Sequence, residues 1–288
     1  MKAEQWIDVQ NILAEGPVWD ETQGLLYWVD ITGNRLWQHS FALQKTQSRV
    51  FSQNVGMLCL TNKGNVVVAL EKSLLLLRGG GQTVLLDNVE AALPRNRFND
   101  GKPDAAGRLW LGTMHREAKP GLAALYQIGR GGSCRQVFGG VTVSNGLAFS
   151  PDNRFLYYVD TPCGFLYRFD FDLATGALEN KTPLIDYRNE PGSFDGIAVD
   201  SQGSIWAAHW GGFGVSRWDP ATGRKLGFVS LPVPNATCCC FAGEGLTDLI
   251  ITTGTGRDAA LKQQYPLQGS LFVCRTDTAG LPANRYAE

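Results

Sequence analysis

A unit made of a polar turn and an alternating strand recurs six times along this chain of 288 residues. Its strands are anchored, in chain order, at Leu26, Val66, Leu109, Leu156, Ile205 and Leu249. The intervals between these anchors are 40, 43, 47, 49 and 44 residues. Periods of this length, built from short strands and Gly, Asn or Asp turns, are typical of propeller blades. We therefore predict an all-β fold, a six-bladed β-propeller.

The six units account for nearly the whole chain, so we predict one domain spanning residues 1–288. A solenoid is disfavoured because no unit resembles a capping repeat, and a single sandwich would not repeat at this length. Closing the ring requires an N-terminal strand, around Trp6 to Ile12, to pair with the last blade near Ser270 to Cys274.

Charge and hydropathy exclude several classes of partner. The net charge is −1, and the longest run of like charge is a pair such as Arg224-Lys225, so no nucleic-acid partner is expected. The N-terminus carries Lys2, Glu4 and Asp8 and lacks the apolar stretch of a signal peptide. No window approaches the ~18 apolar residues of a membrane span, so we expect no membrane partner.

The seven cysteines form no C-x-x-C pair, which argues against a cysteine zinc site. We interpret the Cys238-Cys239-Cys240 run as small residues of a packed interior. Such cysteine usage suits a reducing compartment, and we predict a cytoplasmic protein.

Oxygen-bearing side chains stand ten or eleven residues before four of the six anchors. These four are Glu15, Asn99, Asn145 and Asp195. The same step in the second repeat reaches Val55 or Gly56, and in the sixth it reaches Cys238 or Cys239. The innermost strand of each propeller blade lines the axis, so equivalent positions should converge near the central channel.

Two carboxylates and two amides pointing into a narrow space need a cation between them. We therefore predict one divalent metal ion at the mouth of the channel. The all-oxygen set favours Ca²⁺, Mg²⁺ or Mn²⁺, while Zn²⁺ or Fe²⁺ could bind with water completing the shell. Any one Asn-Gly or Asp-Gly pair could instead be a plain hairpin turn. The shared register of all four favours the metal.

In these and neighbouring motifs the chain resembles the senescence-marker-protein/gluconolactonase family, which includes regucalcin and bacterial sugar lactonases. The resemblance runs from about Glu15 to about Pro282. It is carried by Glu15-Gly16-Pro17-Val18-Trp19, Arg97-Phe98-Asn99-Asp100-Gly101-Lys102, 107–114 (GRLWLGTM), Ser144-Asn145-Gly146, Asp195-Gly196 and Trp210-Gly211-Gly212.

The resemblance implies Glu15, Asn145 and Asp195 as metal ligands, with Asp195 also the proton donor or acceptor. It implies Arg97 and Asn99 as substrate-binding residues and adds Glu117 as a further substrate contact. The expected function is metal-dependent hydrolysis of a sugar lactone, a small-molecule partner, by a monomer or weak homo-oligomer. Two alternatives stay open: a calcium-binding regulatory protein of the regucalcin type without turnover, and a metal-dependent phosphoesterase. The sequence names neither the sugar nor the metal.

Other chemistries find less support in the sequence. The three histidines, His39, His115 and His209, are too scattered for a metal cluster, although His209 could line the pocket or simply be packed. The glycines at 79–81 are not followed by the Lys-Ser or Lys-Thr pair of a phosphate-binding loop. Neither Ser144 nor Ser193 lies in a G-x-S-x-G elbow, so a serine hydrolase is not indicated. We expect the loops 116–121, 187–193 and 254–265 to shape the pocket.

Overall fold

Strands in the computed structural model, which describes residues 1–256 and 259–288, form six antiparallel four-stranded sheets. The first strand of the chain is β1 (Glu4–Ile7). Blade 1 consists of β2 (Ala14–Asp20), β3 (Leu25–Asp30), β4 (Arg35–Ser40) and β5 (Lys45–Val50). Blade 2 consists of β6 (Met57–Leu60), β7 (Val66–Ala69), β8 (Leu74–Arg78) and β9 (Gly81–Leu86). Blade 3 consists of β10 (Asn96–Pro103), β11 (Leu109–His115), β12 (Ala123–Ile128) and β13 (Cys134–Val141).

The second half of the chain repeats the pattern. Blade 4 consists of β14 (Ser144–Phe149), β15 (Phe155–Asp160), β16 (Phe165–Asp172) and β17 (Ala177–Asp186). Blade 5 consists of β18 (Ser193–Val199), β19 (Ile205–Trp210), β20 (Gly214–Trp218) and β21 (Lys225–Ser230). Blade 6 contains β22 (Ala236–Ala242), β23 (Asp248–Thr253) and β24 (Leu271–Arg275). Helical turns are short: 3₁₀ turns at Arg130–Gly132, Thr161–Cys163 and Glu244–Leu246, and the helix α1 at Ala259–Gln264.

The two ends of the chain close the ring together. Blade 6 takes its outer strand from the N-terminus, since β1 pairs with β24 and brings Glu4 opposite Val273. The predicted closure is confirmed, although the strand itself ends at Ile7. The following segment continues along the same blade, where the Asn11 N–H donates to the Gly269 carbonyl over 3.0 Å. The predicted all-β, six-bladed propeller is confirmed.

The apolar core is divided among the blade interfaces. Six clusters of buried side chains each join two neighbouring sheets, as expected when flat sheets pack face to face around an axis. Trp206 on β19 is fully buried between blades 5 and 6, and its indole N–H donates to Asp200 over 3.0 Å. Each sheet therefore packs one face against the preceding blade and the other face against the next blade, as alternating strands allow.

The recurring polar turn joins the first and second strands of the blades. In blades 3 and 5 an aspartate, Asp104 or Asp200, accepts two backbone N–H groups of its own turn. Ser150 does the same in blade 4 through its hydroxyl. These side chains replace the hydrogen bonds that the chain loses as it reverses, which explains the regular polar spacing.

All six innermost strands run in the same direction, so the channel has two different ends. The end where these strands begin is called the ring mouth, because Glu15, Asn99, Asn145 and Asp195 lie near the strand starts. The end where they finish is called the far mouth. The predicted pocket-shaping loops 116–121, 187–193 and 254–265 connect strands at the ring mouth. Within the last of these loops, residues 257 and 258 lie outside the described residues.

No helix in the described part of the chain is long and apolar enough to span a membrane.

Trp206 tests the importance of interface packing. We expect Trp206→Ala to lower the free energy of unfolding by about 3–5 kcal/mol, because it leaves a large cavity between two blades. Trp206→Phe keeps most of the ring, and Asp200 retains Arg217 at 2.9 Å, so the loss should be about 1–2 kcal/mol. Denaturant unfolding measures both, with the exposed Val50→Ala as the control. Equal losses for Ala and Phe would contradict the packing argument.

Candidate functional site

Local distortions of the innermost strands present the ring side chains to the channel. The pairing register shifts between Glu15 and Val18 in β2 and between Phe98 and Gly101 in β10. Equivalent shifts follow Ser144 in β14 and Phe194 in β18. Each shift places extra residues opposite the partner strand, a bulge that redirects a side chain. Asn99, Asn145 and Asp195 are the first residues inside their bulges, and Glu15 is the last paired residue before its own, so the four lie within one residue of a common position.

The glycines that follow Asn145 and Asp195 are needed for close strand packing, not for hairpin turns. A Cβ atom on Gly146 would lie 2.4 Å from the Asp195 carbonyl oxygen. A Cβ on Gly196 would lie 2.3 Å from the Cys238 sulfur. Both glycines are inside strands, so the plain hairpin-turn interpretation is wrong for these pairs.

Buried carboxylates hold the backbone just before two of the ring residues. Asp30 accepts the Ile12 and Leu13 N–H groups at 3.0 and 2.9 Å, which fixes the chain leading to Glu15. Asp160 accepts the Val143 N–H at 2.9 Å and so fixes the chain leading to Asn145. Each aspartate stands fifteen residues after the ring residue that it supports. The sequence therefore contains a second spacing that marks Glu15 and Asn145.

His209 performs the corresponding task in blade 5. Its Nδ1 lies 2.8 Å from the Pro191 carbonyl oxygen, and its Nε2 lies 2.6 Å from the Ser216 hydroxyl. The ring is fully buried, and burial lowers its pKa, so the neutral imidazole is favoured. Of the two interpretations that the sequence left open, the packed one is correct. His209 positions the loop before Asp195.

Glu15, Asn145 and Asp195 come together from blades 1, 4 and 5. The Asn145 amide and the Glu15 carboxyl both lie close enough to the Asp195 carboxyl to lower its pKa against the rise that burial causes. A side-chain N–H of Asn145 donates to the Thr161 hydroxyl over 3.1 Å, which fixes the orientation of the amide. All three side chains belong to residues that are only 7–8% exposed. The three predicted metal-ligating residues therefore form one buried group at the ring mouth.

The electrostatics of this group call for positive charge. Burial, together with the charges of Asp195 and Asp100, raises the pKa of Glu15 well above its ordinary range. Burial, followed by the Asp100 charge, likewise raises the pKa of Asp195. Two adjacent buried carboxyls must share a proton or bind a cation. Two carboxylates with one amide oxygen fit a hard divalent ion.

A metal site made only of His, Cys, Asp and Glu side chains is absent from the described residues. Within 1–256 and 259–288, no three His, Cys, Asp or Glu side chains form a group that could hold a metal ion. The Glu15, Asn145 and Asp195 group has two such side chains and one amide. Any metal held there would rely on the amide oxygen as its third protein ligand.

Arg97 and Asn99 form the blade 3 side of the ring mouth. One Arg97 nitrogen, Nη1, donates to the Asn99 side-chain oxygen over 2.7 Å and to the Phe98 carbonyl. The Asn99 amide donates to the Ser144 carbonyl of blade 4 over 2.8 Å. Burial and the neighbouring Arg116 charge lower the pKa of Arg97 to about 10, so it stays cationic at neutral pH. The two predicted substrate-binding residues are thus linked to each other and to the blade that carries Asn145.

Asp100 is a third buried carboxyl near the ring. One of its oxygens accepts the Gly101 N–H over 2.7 Å. The other oxygen, Oδ2, is buried and has no hydrogen-bond partner among the described residues. Its charge raises the pKa of both Glu15 and Asp195. The sequence indicated Asp100 only through its place in the motif, yet it adds to the demand for a cation.

Glu117 lies apart from the buried group. Its side chain is 50% exposed and forms ion pairs with Arg95 and, over 3.5 Å, with Lys119. Its neighbour Arg116 instead bonds Asn54 over 2.9 Å and affects the Arg97 pKa, so Arg116 is the closer of the two to the ring. The substrate role of Glu117 stays a prediction.

At the inner-strand position equivalent to the four ring residues, the described residues of blades 2 and 6 carry no charge. In blade 2 the position is taken by Gly56, where a Cβ would lie 2.5 Å from the Phe98 carbonyl oxygen. In blade 6 the register shift includes Thr237, whose hydroxyl bonds the Ala14 carbonyl over 2.6 Å. Cys238 follows, and burial with the nearby Glu15 charge raises the pKa of its thiol. All seven cysteines are free thiols, and the Cys238–Cys240 run packs in β22 as predicted.

The remaining candidates have structural roles. Ser144 is buried and accepts the Tyr158 hydroxyl over 2.8 Å. The 79–81 glycines form the hairpin between β8 and β9. His39 lies in blade 1 against Trp6 and Phe41.

Comparison with known proteins gives concordant results. Residues 13–255 match the family described as SMP-30/Gluconolactonase/LRE-like region. Regucalcin of Danio rerio is 34% identical, with 99% of this chain and 98% of that protein aligned. A putative sugar lactone lactonase of Bacillus subtilis, YvrE, is 32% identical over 95% of this chain and 94% of its own length. The crystal structure of a calcium-binding protein, regucalcin, from Agrobacterium tumefaciens superposes with a TM-score of 0.93 at 27% identity, covering 99% and 98% of the two chains.

Glu15 tests whether the buried group holds a cation. We expect Glu15→Gln to weaken divalent-ion binding by roughly tenfold or more, because affinity in oxygen sites follows ligand charge. A ligand that binds only the folded state raises Tm, so Tm measured across a Ca²⁺ or Mn²⁺ titration reports the binding. The exposed Glu117→Gln is the matched control and should retain the wild-type shift. An undiminished shift in Glu15→Gln would place the ion elsewhere.

Proposed function

Because the chain belongs to the SMP-30/gluconolactonase/LRE-like family, we propose that it is a metal-dependent sugar lactonase. It hydrolyses a sugar lactone to the corresponding sugar acid. The observation that supports this most is the buried group of Glu15, Asn145 and Asp195 beside the linked pair Arg97 and Asn99. The seven free cysteines agree with a reaction in the reducing cytoplasm.

Glu15, Asn145 and Asp195 would hold one divalent ion, and their buried, mutually repelling carboxyls fit such an ion. When bound, the ion would polarise the lactone carbonyl and lower the pKa of water, which is the chemistry that divalent metals supply to hydrolysis. The oxygen-only set suits Ca²⁺, Mg²⁺ or Mn²⁺ best. Asn145 serves this role without adding charge.

Asp195 acts as the general base and acid. It accepts a proton from the attacking water as the new bond forms to the carbonyl carbon. The bond from that carbon to the ring oxygen then breaks. Asp195 returns the proton to the departing ring oxygen, which becomes an alcohol hydroxyl of the open-chain sugar acid. Burial raises the pKa of Asp195, and this helps the group retain a proton between the two transfers.

Arg97 and Asn99 orient the sugar. Among the described hydrogen bonds of Arg97 only Nη1 is used, so the other guanidinium N–H groups can donate to sugar hydroxyls. The Asn99 oxygen accepts from Arg97 while its amide donates to Ser144. This arrangement aligns the arginine and gives a preference for polyols. Glu117 would contribute only if the substrate extends to the exposed edge of blade 3.

Two other functions use the same residues differently. Regucalcin relatives, and a neighbour described as calcium-binding, favour an ion-binding role without turnover as the second candidate. Such a role would need the three ligands but not Arg97 and Asn99. A phosphoesterase would use the same ion, although the Arg97–Asn99 pair suits a polyol better than a phosphate monoester. Turnover measured on both lactones and phosphoesters separates all three.

A lactone panel tests the proposed reaction. We expect acid release from five- and six-membered sugar lactones that chelation abolishes and a divalent ion restores, with far lower efficiency on unsubstituted butyrolactone. Arg97→Ala should raise KM for the sugar lactones at least as clearly as it lowers kcat, and should leave butyrolactone little changed. The readout is proton release with metal content verified by elemental analysis. Full turnover in stripped protein would reject the proposal, and so would ion binding with no turnover on any lactone, whether or not the protein hydrolyses a phosphoester.

Asp195 separates ion binding from proton transfer. Proton transfer by a positioned group typically contributes about 10²–10⁴-fold, so Asp195→Asn should lose that much kcat even at saturating metal. Asn145→Asp retains an oxygen ligand and adds charge, so it should still bind the ion. The measurement is kcat for both variants across a metal titration, with bound metal quantified in parallel. If Asp195→Asn recovers to within a few-fold of wild type, the base lies elsewhere, with Asp100 and Glu117 next to be tested.

A further inference from the structure

A cavity of about 400 Å³ occupies the far mouth of the channel, at the opposite end from the ring residues. Its wall is formed by the second halves of all six innermost strands, from residues such as Trp19, Leu60, Phe149 and Phe241. This volume lies in the range of small-molecule binding sites. The cavity plays no part in the proposed lactone reaction.

The C-terminal segment 279–288 covers part of this mouth and is firmly attached to several blades. The Gly280 N–H donates to the Leu246 carbonyl of blade 6 over 2.7 Å. The Asn284 amide donates to the Pro103 carbonyl of blade 3, and the Tyr286 N–H donates to the Leu60 carbonyl of blade 2. The segment therefore forms a fixed wall. Leu281 and Pro282 line the cavity and are also exposed, so the cavity communicates with solvent.

Lys102 forms the inner end of the cavity. Its side chain crosses the channel from β10 in blade 3, and Nζ donates to the Ile197 carbonyl of β18 in blade 5. An ammonium has three N–H groups, and this carbonyl takes one. No carboxylate of the described residues lies within ion-pair distance of Lys102. Burial raises the pKa of Asp100, on the ring side, and the Lys102 charge partly offsets that rise.

The lining chemistry defines what could bind. Most described lining residues are aliphatic, aromatic or proline, and Lys102 is the one charged residue among them. An apolar wall with a single cation at its inner end complements a molecule with an apolar body and one anionic end. A neutral apolar molecule would leave the Lys102 N–H groups without an acceptor, and a cation would be repelled.

We propose that this cavity is a second binding site, specific for apolar monocarboxylates of the size of a medium-chain fatty acid. The carboxylate binds the Lys102 ammonium, and the chain lies along Trp19, Phe149 and Phe241 toward Leu281. The site is separate from the ring mouth and does not depend on the lactonase proposal.

Calorimetric titration with octanoate and with octan-1-ol tests the site. The protein is first stripped of metal, so that a carboxylate cannot bind through an ion at the ring mouth. We expect saturable one-to-one binding of octanoate, with octan-1-ol bound roughly 10- to 100-fold more weakly, the range that a charge-assisted hydrogen bond gives. Restoring the metal should leave octanoate affinity unchanged. Octanoate binding that requires the metal, or equal affinity for acid and alcohol, would overturn the proposal.

Two variants locate the binding. Lys102→Met keeps the apolar stem and should remove the preference for octanoate over octan-1-ol. Leu281→Glu changes a residue that is 37% exposed, so the fold should tolerate it, and should weaken octanoate and octan-1-ol alike by several-fold, because a charged side chain replaces an apolar contact with the tail. Leu226→Glu, at a position 52% exposed on the outer strand of blade 5, is the matched control and should bind octanoate normally. Unchanged octanoate affinity in folded Lys102→Met, or in Leu281→Glu, would refute the site.

Discussion

The carboxyl groups of Glu15 and Asp195 are buried against one another at one end of the channel, and the rest of the site is organised around their repulsion. An unpaired buried charge costs several kcal/mol, and two such charges in contact cannot both persist without a proton or a cation. Asp100, with an unpartnered buried oxygen, makes the requirement stronger. The protein thus maintains a strained anionic group that binding of a divalent ion would relieve.

The propeller can support this group because each ligand comes from a different rigid strand. Bulges in β2, β14 and β18 present the side chains, and Asp30, Asp160 and His209 hold the backbone that precedes them. Blades 1, 4 and 5 provide the ion side of the ring, while blade 3 provides Arg97 and Asn99. Gly56 of blade 2 has no side chain, so substrate specificity would depend on blade 3 and on the loops at the ring mouth. A site built in this way is pre-organised before any ligand arrives.

Much of the fold and of the candidate site could be predicted from the sequence, for a physical reason. A blade is a repeated unit, so its turn residues and its inner-strand position recur at a fixed spacing. That spacing marks Glu15, Asn99, Asn145 and Asp195, and the family resemblance then separates the three candidate ligands from Asn99. The spacing was less informative in blade 6, where the shift includes Thr237 beside the expected Cys238, because a bulge changes the residue count locally. The spacing also could not show in which direction a side chain near the ring mouth points. Glu117 turns toward Arg95 and solvent, and His209 turns into the sheet.

The far mouth was beyond prediction because it depends on long-range contacts. Nothing in the local sequence of 279–288 indicates that it binds blades 2, 3 and 6, or that Lys102 reaches a carbonyl two blades away. Such contacts follow from ring closure and not from periodicity.

The most direct test of the central claim is the position of the ion itself. Long-wavelength anomalous diffraction from crystals grown with Ca²⁺ should show one peak at the ring mouth, about 2.3–2.6 Å from side-chain oxygens of Glu15, Asn145 and Asp195. A peak coordinated by other residues would contradict the account. So would the absence of any peak at saturating Ca²⁺.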